Sequence, residues 1–308
     1  MSNELNGKVA IVTGGGRGIG RAYARALSAE GASVVVSDLA DKAGGTSAAE
    51  TVAAEIRAAG GRAVANHADV ADIDDVRRMV ETALEKFGRL DILVANAGIT
   101  RPAPLYRASP ADWNATLAVH ATGTFNCIHE AAPALIKGGG GSIITVGDIT
   151  TGLYYPKNGA YRAAKATVAV ISQYVAEELR EFNINVNTIM PGATATDMVD
   201  TYLGSIADLG DEFDKFVATA NAHFKRPAGV SATGPAGPET VPPLGVYLCT
   251  GQARAITGCH FQVTGGLIRL ISSHTEPTDI RSDHNAWNLE RLANEVPALV
   301  SKAKGSQV

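Results

Sequence analysis

The chain has 308 residues, 45% of them hydrophobic and 19% charged, with a formal net charge of −4. That length suits one large α/β domain or two small ones, with ample material for a core. The charge balance gives no basic field for nucleic acid or an anionic membrane, and no apolar run approaches the roughly 20 residues that span a bilayer.

In chain order, strand-like apolar runs alternate with helix-like stretches. Residues 9–12 form a short apolar run that ends in a glycine turn. A helix is predicted over 21–30, with Gly31 as its stop. Residues 33–38 read as the next strand. Residues 48–59 read as a helix ended by Gly60-Gly61, and 63–70 as a weaker strand. A helix over 72–87 starts at a cap, Asp72 or Asp74. Residues 90–95 form a strand that leads into Asn96-Ala97-Gly98. A helix follows over about 111–135, with Pro133 expected to bend or end it. Residues 142–146 are a strand, 161–182 a long helix, and 184–189 a strand closed by Pro191-Gly192. A helix over 242–249 precedes a last strand at 260–263.

Continuous apolar strands between helices indicate a parallel sheet buried on both faces. Right-handed crossovers then give an α/β, Rossmann-like doubly wound sheet with helices on both faces. One catalytic domain is expected over residues 1–266, with 194–237 as a long loop-like lid. Residues 267–308 form a C-terminal extension that is no separate domain; within it, 283–294 is expected to form a short helix burying Trp287, Leu289 and Leu292.

Cys127, Cys249 and Cys259 are odd in number and lack metal spacing, so they read as reduced thiols in a cytoplasmic protein. The first eight residues lack the regions of a signal peptide. His67, His129, His223, His260, His274 and His284 form no ligand spacing, and no metal is expected.

Two segments carry the chemistry. Thr13-Gly14-Gly15-Gly16-Arg17-Gly18-Ile19-Gly20 follows a strand and opens a helix. Glycines there let backbone amides approach a pyrophosphate at the positive end of the helix. Asp38 stands 18 positions after Gly20 at a strand end, which fits a dinucleotide fingerprint. A carboxylate there accepts from ribose hydroxyls and repels a 2′-phosphate, so NAD is expected over NADP. Arg17 argues weakly the other way. Asp38 as a plain cap of the next segment is the bland alternative.

Tyr161 and Lys165 stand four positions apart, on one face of a helix. A free tyrosine with pKa near 10 is a poor base at neutral pH. The Lys165 ammonium is expected to lower that value, so that Tyr161 takes an alcohol proton or returns it.

These residues resemble the short-chain dehydrogenase/reductase family over about residues 5–266. The likeness rests on Thr13-Gly14-x-x-x-Gly18-x-Gly20, Asp69-Val70, Asn96-Ala97-Gly98, Tyr161-x-x-x-Lys165, Pro191-Gly192-x-x-x-Thr196 and Val263-Thr264-Gly265-Gly266. The resemblance implies that Asp69 and Val70 flank the adenine. It implies that Asn96, Ala97 and Gly98 line the cofactor, and that Pro191, Gly192, Thr194 and Thr196 meet the nicotinamide end. Leu39, beside Asp38, and Val119 join the same cofactor set. A finer likeness is to the (3R)-hydroxyacyl-CoA dehydrogenase domain of peroxisomal multifunctional β-oxidation enzymes. It rests on Gly20-Arg21-Ala22-Tyr23-Ala24, on residues 34–39 and 60–66, on Val119-His120-Ala121-Thr122-Gly123, on the insert at 41–48 and on the tail. That subgroup acts on hydroxyacyl thioesters and sterol hydroxyls. The family implies a homodimer or homotetramer built on the helices that hold Phe125 and Tyr161.

Two positions depart from the family pattern. Family members usually place serine 13 positions before the tyrosine to bind the substrate oxygen; Asp148 stands there. An ionised carboxylate cannot donate a hydrogen bond. Asp148 is therefore expected to be partly neutral in the working complex and to act as the donor, with Thr150 and Thr151 as spare hydroxyls. His120 stands where asparagine is common, either relaying protons or sitting satisfied in its helix. The leading reading is an NAD-dependent oxidoreductase that interconverts an apolar secondary alcohol and its ketone. The alternative is a non-catalytic NAD(H)-binding redox sensor of the same fold.

Overall fold

A computed structural model of the chain describes residues 3–40, 46–148, 155–192, 194–206, 210–211, 215, 236–271, 278–282 and 287–305. The element order begins β1 (Val9–Thr13), α1 (Gly18–Ala29), β2 (Ser33–Ser37), α2 (Ala48–Ala58), β3 (Arg62–Asn66), α3 (Ile73–Phe87) and β4 (Ile92–Ala95). It continues with α4 (Pro110–Leu117), α5 (Gly123–Lys137), β5 (Gly141–Val146), α6 (Gly159–Glu178), β6 (Ile184–Pro191) and α7 (Asp197–Ile206). It closes with α8 (Pro242–Leu248), β7 (His260–Thr264), β8 (Leu267–Ile271), β9 (Thr278–Arg281) and α9 (Leu289–Gly305).

The strands form one nine-stranded sheet in the order β3-β2-β1-β4-β5-β6-β7-β8-β9. Pairings from β3 through β7 are parallel. β1, β2, β4 and β5 are buried along their whole length, because helices cover both faces. Tyr23, Val52, Leu244 and Leu292 belong to the core on one side, and Val76, Met79, Cys127 and Leu135 to the core on the other. The chain order reverses between β1 and β4. At such a switch point the loops beyond the strand ends part and leave a crevice.

The expected doubly wound sheet is present, and three details differ. α1 begins at Gly18 rather than residue 21, because the turn glycines themselves enter the helix. The helix expected over 111–135 is interrupted by a π turn at Ala118–Thr122 and runs past Pro133 to Lys137. The third difference concerns the tail. Residues 260–263 do not end the sheet: β8 and β9 extend it antiparallel. Thr264 pairs with Leu267 across the two-residue turn Gly265-Gly266, and Gly265 takes φ +54°, where a side chain is strained.

The tail helix α9 is longer than expected, and Trp287 precedes it. Trp287, Leu292, Val296 and Leu299 are buried, and Trp287 Nε1 donates to Gly266 O at 3.0 Å. Burying aliphatic side chains of this size contributes about 1.5–3 kcal/mol each, so the tail shares the core of the sheet. Residues 283–286 of the expected helix lie outside the described residues. Among the described residues no helix is long and apolar enough to cross a membrane. All three cysteines are buried, and burial pushes the Cys127 and Cys249 thiols up to about 12.

Candidate active site

A cleft of about 540 Å³ opens at the switch point. Gly14, Arg17, Gly18, Ile19 and Gly20 line it, with Asp38, Leu39, Asp69 and Val70 at one end and Asn96, Ala97, Gly98 and Val119 along the floor. Asp148, Tyr161, Lys165, His120, Pro191, Gly192, Thr194 and Thr196 line the other end. The residues singled out in the sequence thus share one groove. Sequence reasoning missed Ile99, Gly147 and Asp197, which also line it.

The glycine turn is built by close backbone approach. A Cβ on Gly20 would stand 1.9 Å from Gly14 O and 2.6 Å from Asn96 Nδ2. A Cβ on Gly16 would stand 2.8 Å from Asp38 Oδ2. Asn96 fastens the turn from below, its Nδ2 donating to Thr13 O at 2.9 Å. Thr13 Oγ1 accepts from the amides of Asn96 and Ala97.

Asp38 closes the β2 end. One carboxylate oxygen accepts from Gly16 N at 2.9 Å and the other from Leu39 N at 2.9 Å. These bonds aim the charge at the turn. Leu39 is exposed beside it, and Asp69 accepts from Ala71 N across the cleft end. A dinucleotide fits these residues: the side-chain-free turn leaves room for a pyrophosphate beside the start of α1, and the carboxylate end suits a ribose. At the other end Thr194 is buried, its Oγ1 donating to Gly192 O, and the Thr196 methyl faces Gly18.

Tyr161 and Lys165 both project from α6. Lys165 is buried, and its Nζ donates to Val146 O at 2.5 Å and lies 5.6 Å from the Tyr161 ring centre. Burial pulls its ammonium down to about 8, while the charge of Asp148 works in the opposite direction. Burial pushes the Tyr161 phenol above its usual range; Asp148 raises it further and Arg162 lowers it. Arg162, next to Tyr161 in the chain and given no role by the sequence, is a cation that opposes the rise, while Lys165 Nζ is held on Val146 O.

Asp148 differs from expectation. Its Oδ2 accepts from Arg162 Nη1 at 2.6 Å, and both side chains are mostly shielded from solvent, at 19% and 14% exposure. A guanidinium at that distance favours the anion, so the pairing opposes the neutral donor expected for Asp148. Thr150 and Thr151, the spare hydroxyls, lie outside the described residues, as does lid segment 216–235. Arg162 is a further residue that sequence reasoning missed. The signal is an unexpected acid with an arginine 14 positions later, beside Tyr161 on the predicted helix.

His120 sits in the π turn, 1% exposed, with its ring edge-on to Tyr161 at 5.1 Å. Its Nε2 meets Ile99 O at 2.8 Å and Ile99 N at 3.1 Å. A Cβ on Gly98 would stand 2.5 Å from the ring, so glycine is needed there. Burial first, then the charge of Lys165, lower its pKa to about 3. The ring is therefore neutral at physiological pH and braces the loop after β4 through Ile99, which favours the second of the two readings of His120, a histidine held by backbone, over a titrating relay.

Known proteins share this architecture. A 3-oxoacyl-[acyl-carrier-protein] reductase of Synechocystis is 37% identical over 265 residues, 86% of this chain and 98% of its own length. A solved short chain dehydrogenase from Mycobacterium avium is 34% identical with a TM-score of 0.72, covering 97% of this chain and 96% of its own. One from Mycobacterium paratuberculosis, solved bound to NAD, is 30% identical with a TM-score of 0.74, covering 85% of this chain and 97% of its own. These relatives meet the resemblance at the level of the family; none of the three is a peroxisomal multifunctional enzyme. With residues 8–204 matching the model of that family, the chain belongs to the short chain dehydrogenases.

Proposed function

We propose that this oxidoreductase is NAD-dependent and interconverts an apolar secondary alcohol with its ketone, with Tyr161 as the acid–base group. One observation carries the reading: the glycine turn, Asp38, Tyr161 and Lys165 line a single cleft. A bound nicotinamide supplies the hydride acceptor or donor. The phenol of Tyr161 gives its proton to the ketone oxygen in reduction, and takes the alcohol proton in oxidation. Lys165, anchored on Val146 O, keeps a donor and a positive charge beside the ring. Leu39 and Asp69 border the adenine end, and Thr194 and Thr196 the nicotinamide end. Met198 and Val199 add apolar surface to the substrate end. A hydroxyacyl thioester or a sterol fits such a lining, and the Synechocystis relative is named for a 3-oxoacyl thioester. The test is coenzyme reduction, followed by absorbance, across a panel of apolar secondary alcohols. Dinucleotide binding without turnover on any of them would instead favour the redox sensor.

The Asp38 carboxylate supports NAD as the coenzyme. It lies where a 2′-phosphate would meet a fixed negative charge, whereas Arg17 is exposed. Replacing it, Asp38→Ala, is expected to raise the kcat/KM ratio of NADP over NAD by about tenfold, equivalent to about 1.4 kcal/mol. An unchanged ratio would remove Asp38 from coenzyme choice.

The same reading includes a second copy of the chain as partner. Phe125, Ile136, Val170 and Tyr174 are exposed by 37% or more on α5 and α6. A groove between these helices is lined by Ile128, Ala132, Ile171 and Val175. Apolar surface clustered in this way marks an interface. In light scattering, Phe125→Glu with Tyr174→Glu is expected to give the monomer mass where the parent chain gives a multiple of it. A parent that is already monomeric would end the proposal.

A further inference from the structure

We infer that Asp148 and Arg162 work as one neutral unit that sets the proton affinity of Tyr161, so that the carboxylate is tolerated at this position only with its guanidinium. This rests on the acid–base role proposed for Tyr161. It assigns Arg162 as a positioning residue and gives Asp148 a role other than donating a proton.

The geometry is specific. Asp148 stands two residues beyond the end of β5, and Arg162 follows Tyr161 on α6. Arg162 Nη1 donates to Asp148 Oδ2 at 2.6 Å, and the guanidinium carbon lies 4.5 Å from the centre of the Tyr155 ring. The guanidinium is thus held between an aromatic face and a carboxylate, both mostly out of solvent, where screening is weak. An anion near a phenol disfavours phenolate and a cation favours it. Asp148 and Arg162 act on the Tyr161 phenol with these opposite signs. A lone carboxylate there would hold the phenol protonated and stop it acting as a base. A lone guanidinium would over-stabilise the phenolate and weaken it as an acid. The two fields oppose each other, with the effect of Asp148 the larger and that of Arg162 offsetting part of it.

Other charges facing the phenol are distinguishable. Lys165 comes from the same helix and titrates near 8. His120, from the π turn, is neutral at physiological pH. Tyr155, before α6, has its own phenol raised by burial. Asp197 enters the cleft from the start of α7.

The test is a double-substitution cycle with two readouts. One is the acid limb of the pH profile for alcohol oxidation. The other needs no turnover: the tyrosinate absorbance of each variant in complex with oxidised NAD, less that of its Tyr161→Phe counterpart, which isolates this phenol from Lys165 and Tyr155. Arg162→Gln is expected to raise the midpoint by about one pH unit or more, since an anion is left unbalanced. Asp148→Asn is expected to lower it. The double variant is expected to return to within about 0.3 units of the parent, and Arg162→Lys to stay close to it. If Arg162→Gln and the double variant share one midpoint, Asp148 carries no charge and the inference falls. It falls equally if no variant moves the midpoint. Failure of all alcohols with an intact tyrosinate cycle would instead count against the proposed reaction alone.

Discussion

Tyr161→Phe is expected to lower turnover by about 10²–10⁴-fold while leaving dinucleotide binding within about threefold. The range is the usual contribution of a positioned acid–base group. The substitution removes one hydroxyl and keeps the ring that meets His120 edge-on at 5.1 Å. The packing cost is therefore small and the loss chemical. Direction matters too. Burial and Asp148 keep the phenol protonated above its usual range, which suits an acid. Ketone reduction in the parent chain is expected to hold its rate through neutral pH. Alcohol oxidation, which needs the phenolate, is expected to climb as pH rises. Initial rates in both directions across pH, with fluorescence titration of reduced coenzyme, check this. Unchanged turnover in the phenylalanine variant would remove Tyr161 from the mechanism.

Gly20→Ala carries the second large effect. Its methyl would stand 1.9 Å from Gly14 O and 2.7 Å from Gly14 C, both backbone. Neither atom can swing away as a flexible side chain would. Gly14 itself is at φ +62° with its own Cβ direction closed by Ala97, so the turn has little freedom to relax. Overpacking of this kind costs about 1–3 kcal/mol or more. The cost falls on the segment that faces the pyrophosphate, so dinucleotide affinity is expected to drop by about tenfold to a hundredfold, with a lower Tm. Gly251→Ala is the control. Nothing lies within 4 Å of that Cβ position, and an open surface site is expected within about 0.5 kcal/mol of the parent. Calorimetry and coenzyme titration on both variants decide it. Equal affinities would show that the turn tolerates a methyl and does not cradle phosphate.

Much of the architecture was legible in the sequence because it is local. Apolar runs such as residues 33–37, bounded by Gly31 and Asp38, can only be strands buried on both faces. The two-residue hairpin at Gly265-Gly266 was also written between two apolar runs; taking the glycines as the end of the sheet hides β8 and β9. Asp148 was legible as an anomaly by spacing alone. Its partner was not. Asp148 and Arg162 are 14 positions apart and meet only because α6 returns across the end of β5. The state of His120 was hidden for a similar reason: its pKa is set by burial among the π turn, Ile99 and Lys165, which come from separate parts of the chain.

The sequence by itself determined the order of strands and helices, the glycine turn, the Asp38 carboxylate and the four-residue spacing of phenol and amine. These depend on periodicity, φ freedom and spacing along one chain segment. Tertiary structure alone decided which charges face one another at the cleft, that Arg162 reaches Asp148, and that His120 is buried against Tyr161. Those outcomes depend on distances between segments remote in sequence and on exclusion of solvent, and electrostatic energies are set by both.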